Sequence, residues 1–169
     1  CGATEAYLRS GRKVILASPR KHLLYNKYSQ HLSDNLHLYR YQGDKKRYFE
    51  NTGNTEKDIL TFNNELGRYL QSGGRKILTT YDSLGKIQEV LISSGEYLQE
   101  WTVVVDEFQS MFCDCQYKAT TEYEFSMILG MFSTVVYLSA TPFLESYLDM
   151  TGQFGGLTVY ELLWPANMT

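Results

Sequence analysis

The sequence predicts an α/β domain, a three-layer sandwich with a mostly parallel central sheet. The first observation is a pair of nearly continuous apolar runs, Arg12-Lys13-Val14-Ile15-Leu16-Ala17 and Trp101-Thr102-Val103-Val104-Val105, the pattern of strands covered on both faces. The second is that segments of helical period separate such runs. The third is their regular alternation in short units, which right-handed strand–helix–strand crossovers generate. In a sheet built this way ligands bind beyond the carboxyl ends of the strands, so the residues after each apolar run are the first candidates for function.

Taken in order, the strand Arg12–Ala17 is followed by Pro19 and a helix over Arg20–Gln30. Leu36–Tyr41 is a weaker, more amphipathic strand. Polar Gln42–Asn54, with Gly43, Gly53 and several charges, reads as a surface loop. The next helix is expected over Glu56–Gln71, where Ile59, Leu60, Asn63, Leu66, Tyr69 and Leu70 fall at helical spacing. Thr55 is placed to cap it and Gly73-Gly74 to end it. A strand over Arg75–Thr80, a helix over Ser83–Ile92, the strand Trp101–Val105, a helix over Thr121–Phe132 and a strand over Thr134–Ser139 complete the series. Beyond Thr151, Gly152, Gly155 and Gly156 precede a short strand candidate, Leu157–Tyr160. Residues 1–151 are accordingly read as one domain, truncated at its N-terminus, and 152–169 as an extension towards a partner domain.

The bulk numbers agree with a single core. The chain has 169 residues, of which 43% are hydrophobic and 21% charged, close to globular averages, so disorder is excluded. No run approaches the roughly 18 apolar residues of a membrane span, and a signal peptide's regions are missing from the N-terminus, so a soluble cytoplasmic protein without a membrane partner is expected. Cys1, Cys113 and Cys115 form no disulfide framework, which agrees with a reducing compartment. Cys113-Asp114-Cys115 is either half of a metal site or a reduced loop, and no second pair stands at zinc-like spacing. The net charge of −3 removes any argument from a globally basic surface, although a nucleic-acid groove needs only local positive charge.

Chemistry concentrates at two strand ends. Val103-Val104-Val105-Asp106-Glu107 sets two carboxylates where a buried strand emerges. In nucleotide hydrolysis the first acid can hold Mg²⁺ and the second can orient the attacking water. The plainer alternative is that both acids open a following helix, where its dipole favours them. About thirty residues later a second apolar strand ends in Ser139-Ala140-Thr141-Pro142, which by itself also reads as a simple turn.

Together, Asp106-Glu107-Phe108-Gln109 and Ser139-Ala140-Thr141 resemble motifs II and III of the superfamily 2 (DEAD/DEAH-like) helicases, in order and approximate spacing. Ala17-Ser18-Pro19-Arg20 is similar to motif Ia, and Thr79-Thr80-Tyr81-Asp82-Ser83-Leu84 to the Thr-x-x-Ser-Leu segment before motif II. The resemblance covers most of the chain. It implies the first RecA-like (P-loop NTPase) lobe of a helicase or translocase, with ATP and Mg²⁺ as cofactors. By that resemblance Asp106 serves Mg²⁺, Glu107 activates water, and Gln109, Ser139 and Thr141 couple nucleotide state to domain movement. Ser18, Arg20, Thr80 and Ser83 would grip the backbone of DNA or RNA without reading its sequence, since hydroxyls and a guanidinium at strand ends suit phosphate oxygens. A second RecA-like lobe is the implied partner.

One position departs from the family. Cys1-Gly2-Ala3-Thr4-Glu5 aligns with the closing Gly-Lys-Thr-Glu of motif I, which puts Gly2, Ala3 and Thr4 at the phosphates, Thr4 on Mg²⁺, and Ala3 where lysine belongs. Loss of one preorganised charge stabiliser costs on the order of a hundred- to a thousandfold in rate, so weak hydrolysis is expected. A non-catalytic nucleic-acid or protein-binding module of the same fold is the alternative. His22, His31 and His37 share no spacing with the acids and are read as structural. Tyr7, Tyr25, Tyr28, Tyr39 and Tyr41 lie on apolar-patterned segments and are read as packing residues, with base stacking as their other use.

Overall fold

The computed structural model describes residues 2–31, 34–42, 47–48, 55–110 and 127–139. The expected helix start at Thr121, the Cys113-Asp114-Cys115 segment, Thr141 and Leu157–Tyr160 lie outside them.

Helix α1 (Gly2–Arg9) precedes strand β1 (Lys13–Ser18), whose last five residues are all buried. Helix α2 (Lys21–Gln30) leads to β2 (Leu36–Leu38). The sequence pattern suggested that β2 would run on to Tyr41, but Arg40 adopts φ +66°, which turns the chain out of the sheet. Tyr41 instead enters a separate antiparallel pair, β3 (Tyr41–Gln42) with β4 (Arg47–Tyr48), inside the stretch expected to be plain loop. Helix α3 (Thr55–Gln71) takes Thr55 into its first turn rather than using it as a cap.

Strand β5 (Lys76–Thr80) is buried throughout, and a 3-10 turn over Tyr81–Ser83 precedes helix α4 (Leu84–Ser93). Strands β6 (Trp101–Val105) and β7 (Thr134–Tyr137) follow, with residues 127–130 helical between them.

Both α3 and α4 end in the same way. Gly73 (φ +87°) and Gly95 (φ +78°) take the left-handed conformation. The Gly74 and Glu96 N–H groups then reach back to the Tyr69 and Leu91 carbonyls at 3.0 and 2.9 Å, which satisfies the last helical carbonyls. Gly73-Gly74 was legible as a stop. Gly95, two residues past the end of α4, closes its helix by the same bonds.

The five long strands form one all-parallel sheet in the order β2-β5-β1-β6-β7. This is an α/β fold. Alternation along the strands sorts its two faces. Val14, Leu16, Leu36, Leu38, Leu78 and Val104 pack with Leu8 of α1 and Leu24 of α2 on one face. His37, between Leu36 and Leu38, turns the other way and stacks on Tyr69 of α3 at 5.0 Å. Helix α4 packs against α3, so both cover that second face. The inward stripe of α3 is Phe62, Leu66 and Leu70 at four-residue spacing, while Leu60, expected on that stripe, is 61% exposed.

Candidate functional site at the carboxyl ends of the strands

Strand register brings the ends of four strands level. Ser18 pairs with Thr80, and Ala17 with Val105, so Ser18 and Asp106 are the next residues out on neighbouring strands. The Asp106 N–H donates to the Ala17 carbonyl at 2.9 Å. On the far side Val105 pairs with Tyr137, and the Leu138 N–H donates to the Val105 carbonyl at 2.8 Å. The resulting row runs Thr80, Ser18, Asp106, Leu138, with Ser139 one residue further along.

Connections leave this row in opposite directions. The chain after β1 passes into α2 on one face, whereas the chain after β5 passes into α4 on the other. Such a divergence opens a crevice at the strand ends, the usual place for a ligand in an open parallel sheet.

The turn after β6 is held tightly. The Tyr81 hydroxyl donates to the Asp106 carbonyl, and the Asp106 Oδ1 accepts the Glu107 N–H at 3.0 Å. Glu107 takes φ +51°, a left-handed conformation that costs a residue with a Cβ roughly 1–2 kcal/mol. The Phe108 N–H donates to the Leu138 carbonyl at 3.2 Å, and the Ser110 N–H to the Glu107 carbonyl at 2.9 Å. Buried Phe108 meets Tyr137 edge to face at 5.4 Å, and burial pushes the Tyr137 phenol above its usual range. The strained Glu107 is thus pinned on both sides, with Asp106 and Glu107 half-buried rather than sealed in the core.

Polar satisfaction separates this region from the rest. Among the described residues, four buried side-chain atoms have no hydrogen-bond partner: Thr4 Oγ1, Ser18 Oγ, Ser83 Oγ and Gln109 Oε1. Buried polar groups are ordinarily paired, and each exception calls for a cause. Three of these lie at the carboxyl ends of the strands: Ser18 closes β1, and Ser83 and Gln109 belong to the turns after β5 and β6.

The other residues singled out in the sequence are placed as follows. Arg20 is exposed beside Ser18, just ahead of α2. Gly2, Ala3 and Thr4 form the first turn of α1, with Thr4 fully buried. No side-chain hydrogen bond among the described residues ties Thr4 to the strand-end row. Its neighbour Glu5 reaches 3.7 Å from the His31 ring, and His31 Nδ1 lies 2.8 Å from Asp34. Tyr81 and the φ of Glu107 are the features that motif reading missed; both depend on contacts across the sheet and leave no local sequence signal.

No protein-family model, no curated protein and no solved structure matches the chain. Fold and site together therefore define a class and no more: an α/β domain with a parallel five-stranded sheet and a polar, carboxylate-bearing edge.

Proposed function

We propose that the chain is the ATP-binding lobe of a nucleic-acid-dependent helicase or translocase, with a RecA-like arrangement and with hydrolysis weakened by Ala3. One observation carries the reading. All four buried polar atoms that lack a partner belong to residues that the motif resemblance assigns to ligands or coupling: Thr4, Ser18, Ser83 and Gln109. A ligand that supplies the missing partners would remove the cost of burying them, about 1–3 kcal/mol each.

The residues present fit a magnesium nucleotide in part. Asp106 offers a carboxylate at a strand end, and Thr4 offers a buried hydroxyl with an unused oxygen, the donor types that Mg²⁺ takes. The nucleotide would supply the phosphoryl group to be transferred. Glu107, raised from the turn by its left-handed backbone, is the group to orient a water and accept its proton. Ser18, Arg20, Thr80 and Ser83 supply phosphate donors on the neighbouring strand ends. An ammonium group at position 3 is what this set lacks.

Nucleotide binding and turnover, measured with the chain and its Ala3→Lys variant in the presence and absence of single-stranded nucleic acid, test the reading. Restoring lysine is expected to raise turnover by about a hundredfold or more. Unchanged binding and turnover would remove the P-loop assignment. Nucleic-acid binding without any nucleotide effect would favour the non-catalytic module, for which Ala3 is the supporting observation.

A further inference from the structure

The net charge of −3 conceals a strong division along the chain. Residues 1–48 carry ten Lys and Arg against three Asp and Glu, a net of +7. Residues 49–169 carry six against sixteen, a net of −10. Such asymmetry within one chain points to a polyanionic partner on the basic part. In the helices the division survives mainly at α2, which carries Lys21 and Lys27 and no acid, whereas α1 and α4 are each balanced and α3 has one excess acid. The basic stretch supplies α1 and α2 on one face of the sheet together with the β3–β4 pair, while α3 and α4 on the opposite face come from the acidic remainder.

Helix α2 contains Lys21, His22 and Lys27 and no acidic residue, and Arg20 precedes it. Arg20 and Lys21 are exposed and Lys27 half-exposed. Neither Arg20 nor Lys27 makes an ion pair among the described residues. Four residues on from Lys21, on the same flank of α2, lies an aromatic group, whereas Lys27 stands on the opposite flank. Tyr41 of β3 packs against Tyr25 at 5.3 Å and Tyr28 at 5.5 Å. Tyr28 and Tyr41 also rest on the core, whereas Tyr25 is 37% exposed. Tyr25 is therefore an outward aromatic held by Tyr41, which Tyr28 supports in turn.

We propose that this α2 face, with Tyr25 packed on the core-anchored Tyr41 and bordered by Arg20 and Lys21, binds single-stranded nucleic acid. Cations at the start of the helix suit a phosphate backbone, and an exposed aromatic one turn on stacks on an unpaired base, a contact available in single strands and not inside a duplex. An acidic protein or an anionic membrane answers the charge but leaves the ring without a base to stack on. The surface adjoins the strand-end row through Arg20, so a strand gripped there continues along α2. It deepens the nucleic-acid half of the function proposed above and rests on that half, independently of nucleotide hydrolysis.

Fluorescence anisotropy of labelled oligothymidylate and oligouridylate with the 169-residue chain, without nucleotide, tests it. Tyr25→Ala is expected to weaken binding about tenfold and Tyr25→Trp to preserve it, with unchanged urea midpoints as the check on folding. An abasic strand of equal length should bind more weakly and ignore Tyr25→Ala. Lys21→Gln should flatten the slope of log affinity against log salt by about 0.7. Wild-type affinity and salt slope in both Tyr25→Ala and Lys21→Gln, beside a loss in Thr80→Val, would overturn this surface and leave the strand-end grip standing. No binding of either oligonucleotide by the wild-type chain would overturn both. Binding to phosphatidylserine vesicles and not to oligonucleotides would replace the nucleic acid by a membrane surface and overturn the proposal.

Discussion

The two ends of the same sheet are built to opposite standards. At the amino ends of the strands nearly every polar group named has a partner. Lys13 Nζ lies 2.7 Å from Glu96 and 2.9 Å from Glu100, Trp101 Nε1 donates to Glu96 at 3.2 Å, and Lys13 sits 5.9 Å from the centre of the Trp101 ring. Arg75 and Lys76 donate to the Gly11 and Arg12 carbonyls, and the Tyr69 hydroxyl accepts the Lys76 N–H at 2.9 Å. At the carboxyl ends Ser18, Ser83 and Gln109 hold unpaired atoms, and Glu107 is strained. Polar groups are paired at one end and left open at the other, the division expected where a site needs unsatisfied groups for a ligand.

The titration of the amino-end cluster fits that division. Hydrogen bonds to Glu96 and then Glu100 raise the Lys13 pKa, against a smaller effect of burial. Burial would raise the Glu96 carboxyl, but hydrogen bonds from Lys13 and Trp101 outweigh it and hold the group below its usual range. Glu96 thus stabilises the fold above the unfolded carboxylate pKa and ceases to as pH falls through its depressed folded value. Lys13 does so below the unfolded lysine pKa and loses the effect as pH rises through its raised one.

The largest expected break in the comparison is Trp101→Ala. Trp101 is fully buried at the start of β6 and anchors the Lys13–Glu96 cluster. Its removal empties a large volume and leaves Glu96 short of a donor, so unfolding free energy should fall by about 3–5 kcal/mol. A urea titration reads this directly. A loss under 1 kcal/mol would mean that the amino end is not where stability resides.

Second in size is an acid sensitivity placed at β2. His37 stacks on Tyr69, and burial pushes its imidazole down to about 4 from 6.5. The unfolded chain therefore binds a proton at His37 that the folded chain refuses between those values. The neutral ring's contribution is complete above pH 6.5 and is lost as pH falls towards 4, up to about 3 kcal/mol. Urea midpoints measured across that range should drop more steeply in the wild type than in His37→Phe. Parallel curves would show that the ring is solvated.

The sequence made the sheet legible where burial is two-sided. Strands β1 and β6 are nearly continuous apolar runs and β5 carries a short one, so neither period nor partner had to be known. It failed where the backbone answers to distant contacts. The end of β2 is set by the left-handed Arg40, which lies over the Phe62 ring at 5.4 Å, and no local pattern announces it. The inward stripe of α3 was misjudged at Leu60 because hydrophobicity alone cannot distinguish an apolar residue at the stripe's edge from one inside it. At the site, the position of Asp106 at a strand end was readable from Val103-Val104-Val105, whereas the bond from Tyr81 and the strain at Glu107 arise from packing between strands. The charge division was in the sequence throughout. Its net value hid it, because the basic and acidic parts nearly cancel.

The smallest expected effect carries the opposite sign and sharpens the comparison most. Glu107→Gly places at φ +51° the one residue that has no Cβ to strain there. Its gain is the relieved strain, reduced by the greater backbone freedom of glycine in the unfolded chain, so a net increase of about 0.5–1 kcal/mol in unfolding free energy is expected. The same change removes the carboxylate proposed to orient water, so in an Ala3→Lys background it should abolish whatever turnover lysine restores. Stability and activity would then move in opposite directions at one residue. Glu107→Gln separates the two contributions, since it keeps the strain and loses only the charge: it should leave the urea midpoint where it was and still remove turnover. A Gly variant no more stable than the Gln variant would mean that the left-handed turn is held without cost by Tyr81 and Asp106, and that strain is no part of what sets the carboxyl edge apart.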